Sequence, residues 1–229
     1  MSLDVNYIKE VLIQKGITLE EGLSDEEFEK IENFYSIKFP ISLRTLYKSF
    51  LPIDFYNWRD FSQDNVSKIK TQLDWPLEGM LFDVAANGFW KKCFGPKTNN
   101  IENDENIVIN YIKNASNEIV PKLIPIYSHR YVPCYPDVMN MSVISVYQTD
   151  IIYYGYDLED YFKREFGTIG ISKEKADINY EKKLVEIPFW TDIIDNRFEE
   201  WNTLLKFIIN NKILASNKNI NYIIKYFLD

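Results

Sequence analysis

An α+β fold is predicted for this chain by three observations: helical spacing in the first third, β-rich runs in the middle, and helical spacing again at the end. Only short polar breaks separate the β-rich runs, too short for helical crossovers. The central sheet is therefore expected to be antiparallel, with N-terminal and C-terminal helices around it.

Leu3, Tyr7, Ile8, Val11 and Leu12 recur at helical spacing until Gly16 stops the pattern. Ser24 and Glu27 have the spacing of a capping box, in which hydroxyl and carboxylate satisfy free N–H groups at a helix start. Phe28, Ile31, Glu32 and Tyr35 follow on that helix. Pro40 opens a third helix with Leu43, Leu46, Tyr47 and Phe50 as its buried stripe, and Pro52 ends it. DFYNWRDFSQDN reads as an aromatic turn region, followed by a short helix from Val66 to Leu73 ahead of Trp75–Pro76. GMLFDVAANGFW then reads as a strand and a turn at Asn87–Gly88. Glu105 to Ala115 returns to helical spacing. The β-rich runs are Lys122–Tyr127, Tyr131–Pro133, Val143–Tyr147 and Ile151–Tyr154. Leu158, Tyr161, Phe162 and Phe166 mark a helix that Gly167 ends.

Residues 171–187 read as a charged connector. Thr191 to Leu228 reads as helical, with Phe198, Trp201, Leu204, Leu205, Ile208 and Ile209 in one apolar stripe. The expected organisation is an α+β domain over residues 1–170. A charged connector and C-terminal helical extension packed on it occupy 171–229.

Composition narrows the function. With 46% hydrophobic and 26% charged residues, a chain of 229 buries a core without disulfides or metals. Aromatics reach 16%, enough to serve both a core and a recognition surface. A formal charge of −8, with no compensating Lys/Arg cluster, repels phosphate backbones and argues against general nucleic-acid binding. It suits a basic protein partner. Cys93 and Cys134 stand far apart with no CxxC, which argues against a secreted disulfide scaffold and a zinc site. No signal-peptide pattern opens the chain, and no apolar run approaches the ~20 residues that span a bilayer. A cytoplasmic protein without membrane attachment or cofactor is expected.

The only histidine, His129, stands beside Arg130 in IPIYSHRYVPC. A histidine titrates near neutrality and serves as a general base only with a nucleophile and an orienting acid in reach. Ser128, Tyr131, Cys134 and Asp150 are the candidates, and no GxSxG elbow surrounds them. Ser128 and His129 should diverge if the segment is extended. A polar turn between strands, or a binding surface, explains the pair more simply. NWRDF offers Trp58, Arg59, Asp60 and Phe61 as a possible anchor patch, since Trp and Arg are favoured at interface hot spots; the competing reading is that Trp58 caps the core. The expected partner-binding residues are therefore Trp58, Arg59, Asp60, Phe61, His129, Arg130 and Tyr131, with no catalytic and no metal residues. Gln148, Thr149 and Asp150 read as a turn between strands.

FPISLRTLYKSFLP, NWRDF, MLFDVAANGFW, LIPIYSHRYVPC and VYQTDIIYYGYDLEDYFKREF resemble phrases of the SUKH superfamily of bacterial immunity proteins and a yeast glucan-synthesis regulator. The resemblance spans Ser24 to Phe166. It departs at Asn140-Met141-Ser142-Val143, where a Gly-Asn-Pro-Val-type approach to the strand is expected, and it does not extend past Ile171. It implies an α+β domain without shared catalytic residues, acting as a non-enzymatic binding module. That module would be an immunity protein that neutralises a toxin, often a basic nuclease. The alternatives are a regulatory scaffold of the glucan-synthesis type or a small hydrolase using His129.

Overall fold

The N-terminal helices begin where the sequence supplies an acceptor for a free N–H. The computed structural model describes residues 3–98, 100–167 and 184–194. In α1 (Val5–Gln14) the Asp4 carboxylate accepts from the Tyr7 N–H at 3.0 Å, and Gly16 leaves the helix at φ 74°. The capping box opens α2 (Asp25–Tyr35): Glu27 N–H donates to Ser24 Oγ at 3.2 Å, and Ser24 N–H to Glu27 Oε2 at 2.8 Å. Pro40 precedes α3 (Ile41–Ser49). Two short strands, β1 (Leu19–Glu21) and β2 (Phe50–Pro52), pair antiparallel, so Phe50 and Pro52 belong to a ladder and not to the end of a helix.

The largest departure from expectation is α4 (Gln63–Ala86), a single helix of 24 residues that runs through Pro76 and absorbs the expected strand at Gly79. Proline removes the N–H that would bond the carbonyl of residue 72, ordinarily a helix-breaking loss. Here the Tyr131 hydroxyl, 59 residues away in sequence, donates to the Gln72 carbonyl at 3.0 Å and replaces the missing donor. Beyond the proline, Met80 and Val84 are buried one turn apart while Phe82 faces out, which is helical and not strand periodicity.

A single 3-10 turn (Lys92–Phe94) leads to α5 (Ile101–Asn114), capped by Asn100. The main sheet follows as expected: β3 (Leu123–Tyr127), β4 (Arg130–Pro133), β5 (Val143–Tyr147) and β6 (Asp150–Gly155), all antiparallel, in the order β3-β4-β5-β6. Tyr131 lies opposite Pro125 and Ile144, and Ser145 opposite Ile152. A bulge separates Pro125 from Tyr127. Then come α6 (Leu158–Glu165), capped by Asp157, and α7 (Thr191–Ile194).

Alternation along these strands feeds two cores. Ile124, Ile126, Val132 and Tyr154 join the residues of α1, α2, α3 and α6. Leu123, Tyr131, Ile144, Val146 and Ile151 join those of α4, α5 and α7. The sheet is thus the shared middle layer of an α+β architecture with helices at both ends. Residues 184–190 approach α7 without helix or strand. The rest of the expected connector, and the stripe from Phe198 to Ile209, lie outside the described residues.

Candidate functional site

Two sequence segments were expected at a binding surface, and the structure sorts their side chains. Trp58 is fully buried, 0% exposed, with its ring against those of Tyr35, Phe39 and Tyr56 at 5.6, 5.2 and 6.4 Å between centroids. An enclosed indole offers a partner no surface, so Trp58 is a core residue and not an anchor. Arg59 is engaged internally. Its Nε donates to Glu27 Oε1 at 2.6 Å, and its other nitrogens donate to Glu20 Oε2 at 3.1 Å and to the carbonyls of Glu21 and Gly22 at 3.1 and 3.0 Å. One guanidinium fork so ties β1 to the start of α2. The same contact holds the Glu27 carboxyl below its usual range. Asp60 accepts from the N–H and hydroxyl of Ser62 at 2.8 and 2.9 Å, shaping the approach to α4. Phe61 is half-buried, with the Phe34 ring 5.2 Å away and the Lys30 ammonium 4.0 Å over its face.

The second segment is the β3–β4 hairpin, whose two turn residues are Ser128, at φ 50°, and His129. Because the chain turns here, the two side chains do not diverge as an extended segment requires: Ser128 Oγ and His129 Nδ1 lie 3.0 Å apart. The His129 ring stands 6.0 Å from that of Tyr147. Its pKa is pushed below the usual value, by burial first and by the Arg130 charge second, with Glu165 opposing. Arg130 points into the sheet face under α6. It donates to Ser145 Oγ at 3.1 Å, lies 3.8 Å over the Tyr154 ring, and stands 3.5 Å from Glu165 Oε2. Tyr131 points to the opposite face and is 0% exposed, so this expected surface residue is also corrected to core.

The two segments do meet, through a residue that neither motif included. The Tyr56 hydroxyl donates to the Ser128 carbonyl at 2.8 Å, and Gln72 Nε2 donates to the same oxygen at 2.9 Å. The β3–β4 turn is therefore pinned to the aromatic loop and to α4 at once. The β5–β6 turn, Gln148–Thr149, is pinned beside it. Thr149 donates from its N–H (2.8 Å) and its hydroxyl (2.5 Å) to the buried Asp83 carboxylate. Gly79, one turn earlier on α4, lets the turn backbone close in: a Cβ there would sit 2.8 Å from Gln148 Cα. The expected turn at Gln148–Asp150 is present, and Asp150 is exposed at its end.

Both turns open on the same end of the sheet. Between them stands Tyr147, 53% exposed, braced by His129 on one side and by the Trp75 ring at 6.1 Å on the other. Ile152 is also exposed, on β6 at the edge of the sheet. Sequence reasoning passed over Tyr147. Its signal was its place as the last residue of an alternating strand, next to a polar turn.

Among the described residues no three His, Cys, Asp or Glu side chains converge as a metal site, and no helix is long and apolar enough to cross a membrane. Comparisons with protein-family models, with curated proteins and with solved structures return no match.

Proposed function

We propose that this protein is a non-enzymatic binding module of the immunity type, which engages a basic toxin domain through the end of its sheet. The observation that carries the reading is Tyr147: a large aromatic left half in water on a hairpin end whose two turns are fixed by Tyr56, Gln72 and Asp83. Rigid aromatics lose little entropy on binding and are enriched at interface centres. His129 and the exposed Ile152 flank it, and Arg130 holds the strands beneath. A net charge of −8 favours encounter with a basic surface. The SUKH resemblance supplies the toxin as the kind of partner, and a cytoplasmic location follows from that role.

Tyr147→Ala tests this. Its side chain is more than half exposed, so the fold should be kept, with the lost ring contacts to His129 and Trp75 costing about 1 kcal/mol or less. Affinity for the partner toxin, sought first in the product of the neighbouring gene, should fall by about 2 kcal/mol or more, and co-expression should no longer protect cells. A folded variant that binds and protects as well as the parent removes this surface from consideration. Failure of the parent chain to bind or protect removes the immunity reading.

A hydrolase is the second reading, favoured only by the Ser128–His129 contact. That contact joins neighbours within one turn through Nδ1. A serine triad uses Nε2 toward the serine and Nδ1 toward an acid.

A further inference from the structure

A separate cleft of about 560 Å³ lies between the end of α2, the middle of α4, the end of α5 and the segment leading into β3. Its walls are apolar: Leu73, Leu77, Ile112, Val120, Leu123 and Trp190. Lys70, Lys113 and Lys122 stand around it, from three different parts of the chain, against one acidic lining residue, Asp74. In a chain with 34 acidic and 26 basic residues, that local balance is inverted. The lysines are exposed, and among the described residues none of them pairs with a carboxylate: Lys70 lies 5.2 Å over the Phe34 ring, and Lys122 donates to the Ser36 carbonyl at 2.7 Å. The Trp190 indole N–H is already satisfied by the Pro121 carbonyl at 2.8 Å, so the tryptophan presents an apolar face and asks for no polar partner.

An apolar floor of this volume falls within the ~300–1,000 Å³ range of small-molecule sites, where a few polar groups fix orientation. Cations around an apolar channel match a molecule with the opposite layout. We infer that this cleft binds a monomeric amphiphilic carboxylate, its single alkyl chain along Leu73, Leu77 and Ile112 and its head group among Lys70, Lys113 and Lys122. The site is independent of the sheet end proposed for the protein partner.

The probe is decanoate, titrated calorimetrically into the full-length chain below its micellar concentration, with decyl maltoside as the neutral analogue of equal chain length. Saturable binding of one decanoate is expected, with decyl maltoside at least tenfold weaker. Lys70→Glu with Lys113→Glu should weaken decanoate at least tenfold and leave decyl maltoside unchanged. Ala115→Trp, which fills the cleft, should abolish both. Circular dichroism and the melting temperature report whether each variant is folded, and Lys70→Glu alone decides if the double variant is not. Absence of saturable decanoate binding overturns the inference. So does equal affinity for the two probes, or binding that the folded variants leave untouched, as does association with anionic vesicles but not with monomeric decanoate.

Discussion

His129 is the residue whose chemistry the sequence raised most sharply, and its setting makes a direct prediction. Burial and the Arg130 charge both disfavour the imidazolium, so its folded pKa lies below the ordinary value of about 6.5. Between the folded and unfolded values, the unfolded chain binds more protons. The contribution of His129 to stability is therefore full above pH ~6.5 and is lost as pH falls through the folded value. As the chain has one histidine, a single imidazole resonance should titrate in the proton NMR spectrum. The midpoint should fall below 6.5 in the native chain and rise toward it in Arg130→Gln. A native midpoint at or above 6.5 means the ring is solvated or paired in a way this geometry does not contain. The histidine was legible in the sequence as a turn residue, and its neighbour Tyr147 was not. The burial of Trp58 was one of two readings the sequence left open, and the structure takes the core reading; the burial of Tyr131 was not legible. Trp58 is enclosed by Tyr35, Phe39 and Tyr56, which reach it from three segments, and composition alone cannot tell an enclosed indole from an exposed one.

At the level of elements, the strands of the main sheet were readable because β-branched residues and tyrosines crowd them and polar pairs break them. The helix α4 was not readable. Its internal proline is a strong stop signal, and what overrides it is a hydroxyl from β4. The override gives a coupling that can be measured. In Tyr131→Phe the Gln72 carbonyl loses the donor that stands in for the missing N–H of residue 76, and Gln72 Nε2 loses an acceptor. Gln72 is half-buried and its amide keeps the Ser128 carbonyl as a partner, so the loss should cost about 1 kcal/mol in denaturant unfolding. Pro76→Ala returns a backbone donor to that same carbonyl. It should therefore recover more stability in the Tyr131→Phe background than it adds to the parent. Strict additivity of the two changes would show that the hydroxyl does not replace the helix bond. The small β1–β2 ladder was missed for a different reason. Each strand has three residues, and 28 residues separate Glu21 from Phe50, so no local pattern marks the pair.

At the scale of the molecule, the consequence of the layering is cooperativity. Each central strand feeds alternate residues to opposite cores: Val132 faces one and Tyr131 the other on β4, while Ser145 and Ile144 do the same on β5. Neither core can lose its sheet face without disturbing the other, because both faces belong to the same backbone ladders. The described part of the chain should therefore unfold as one unit, with the backbone amides of β4 and β5 exchanging only through global opening. Ile126→Ala in the first core and Val146→Ala in the second each remove buried methyl groups. They should cost about 2–5 kcal/mol and a somewhat smaller amount, respectively. Each should lower the protection of slow amides on both faces by the same free energy. A first-core truncation that left the second-core amides at parental protection would mean that the two halves open separately, and that the sheet does not bind them into one cooperative body. Shared strands also keep the two hairpin turns in fixed relation. A partner that docks on Tyr147 meets a surface whose ordering was supplied by folding and not by binding, which is the condition for tight association through a small contact.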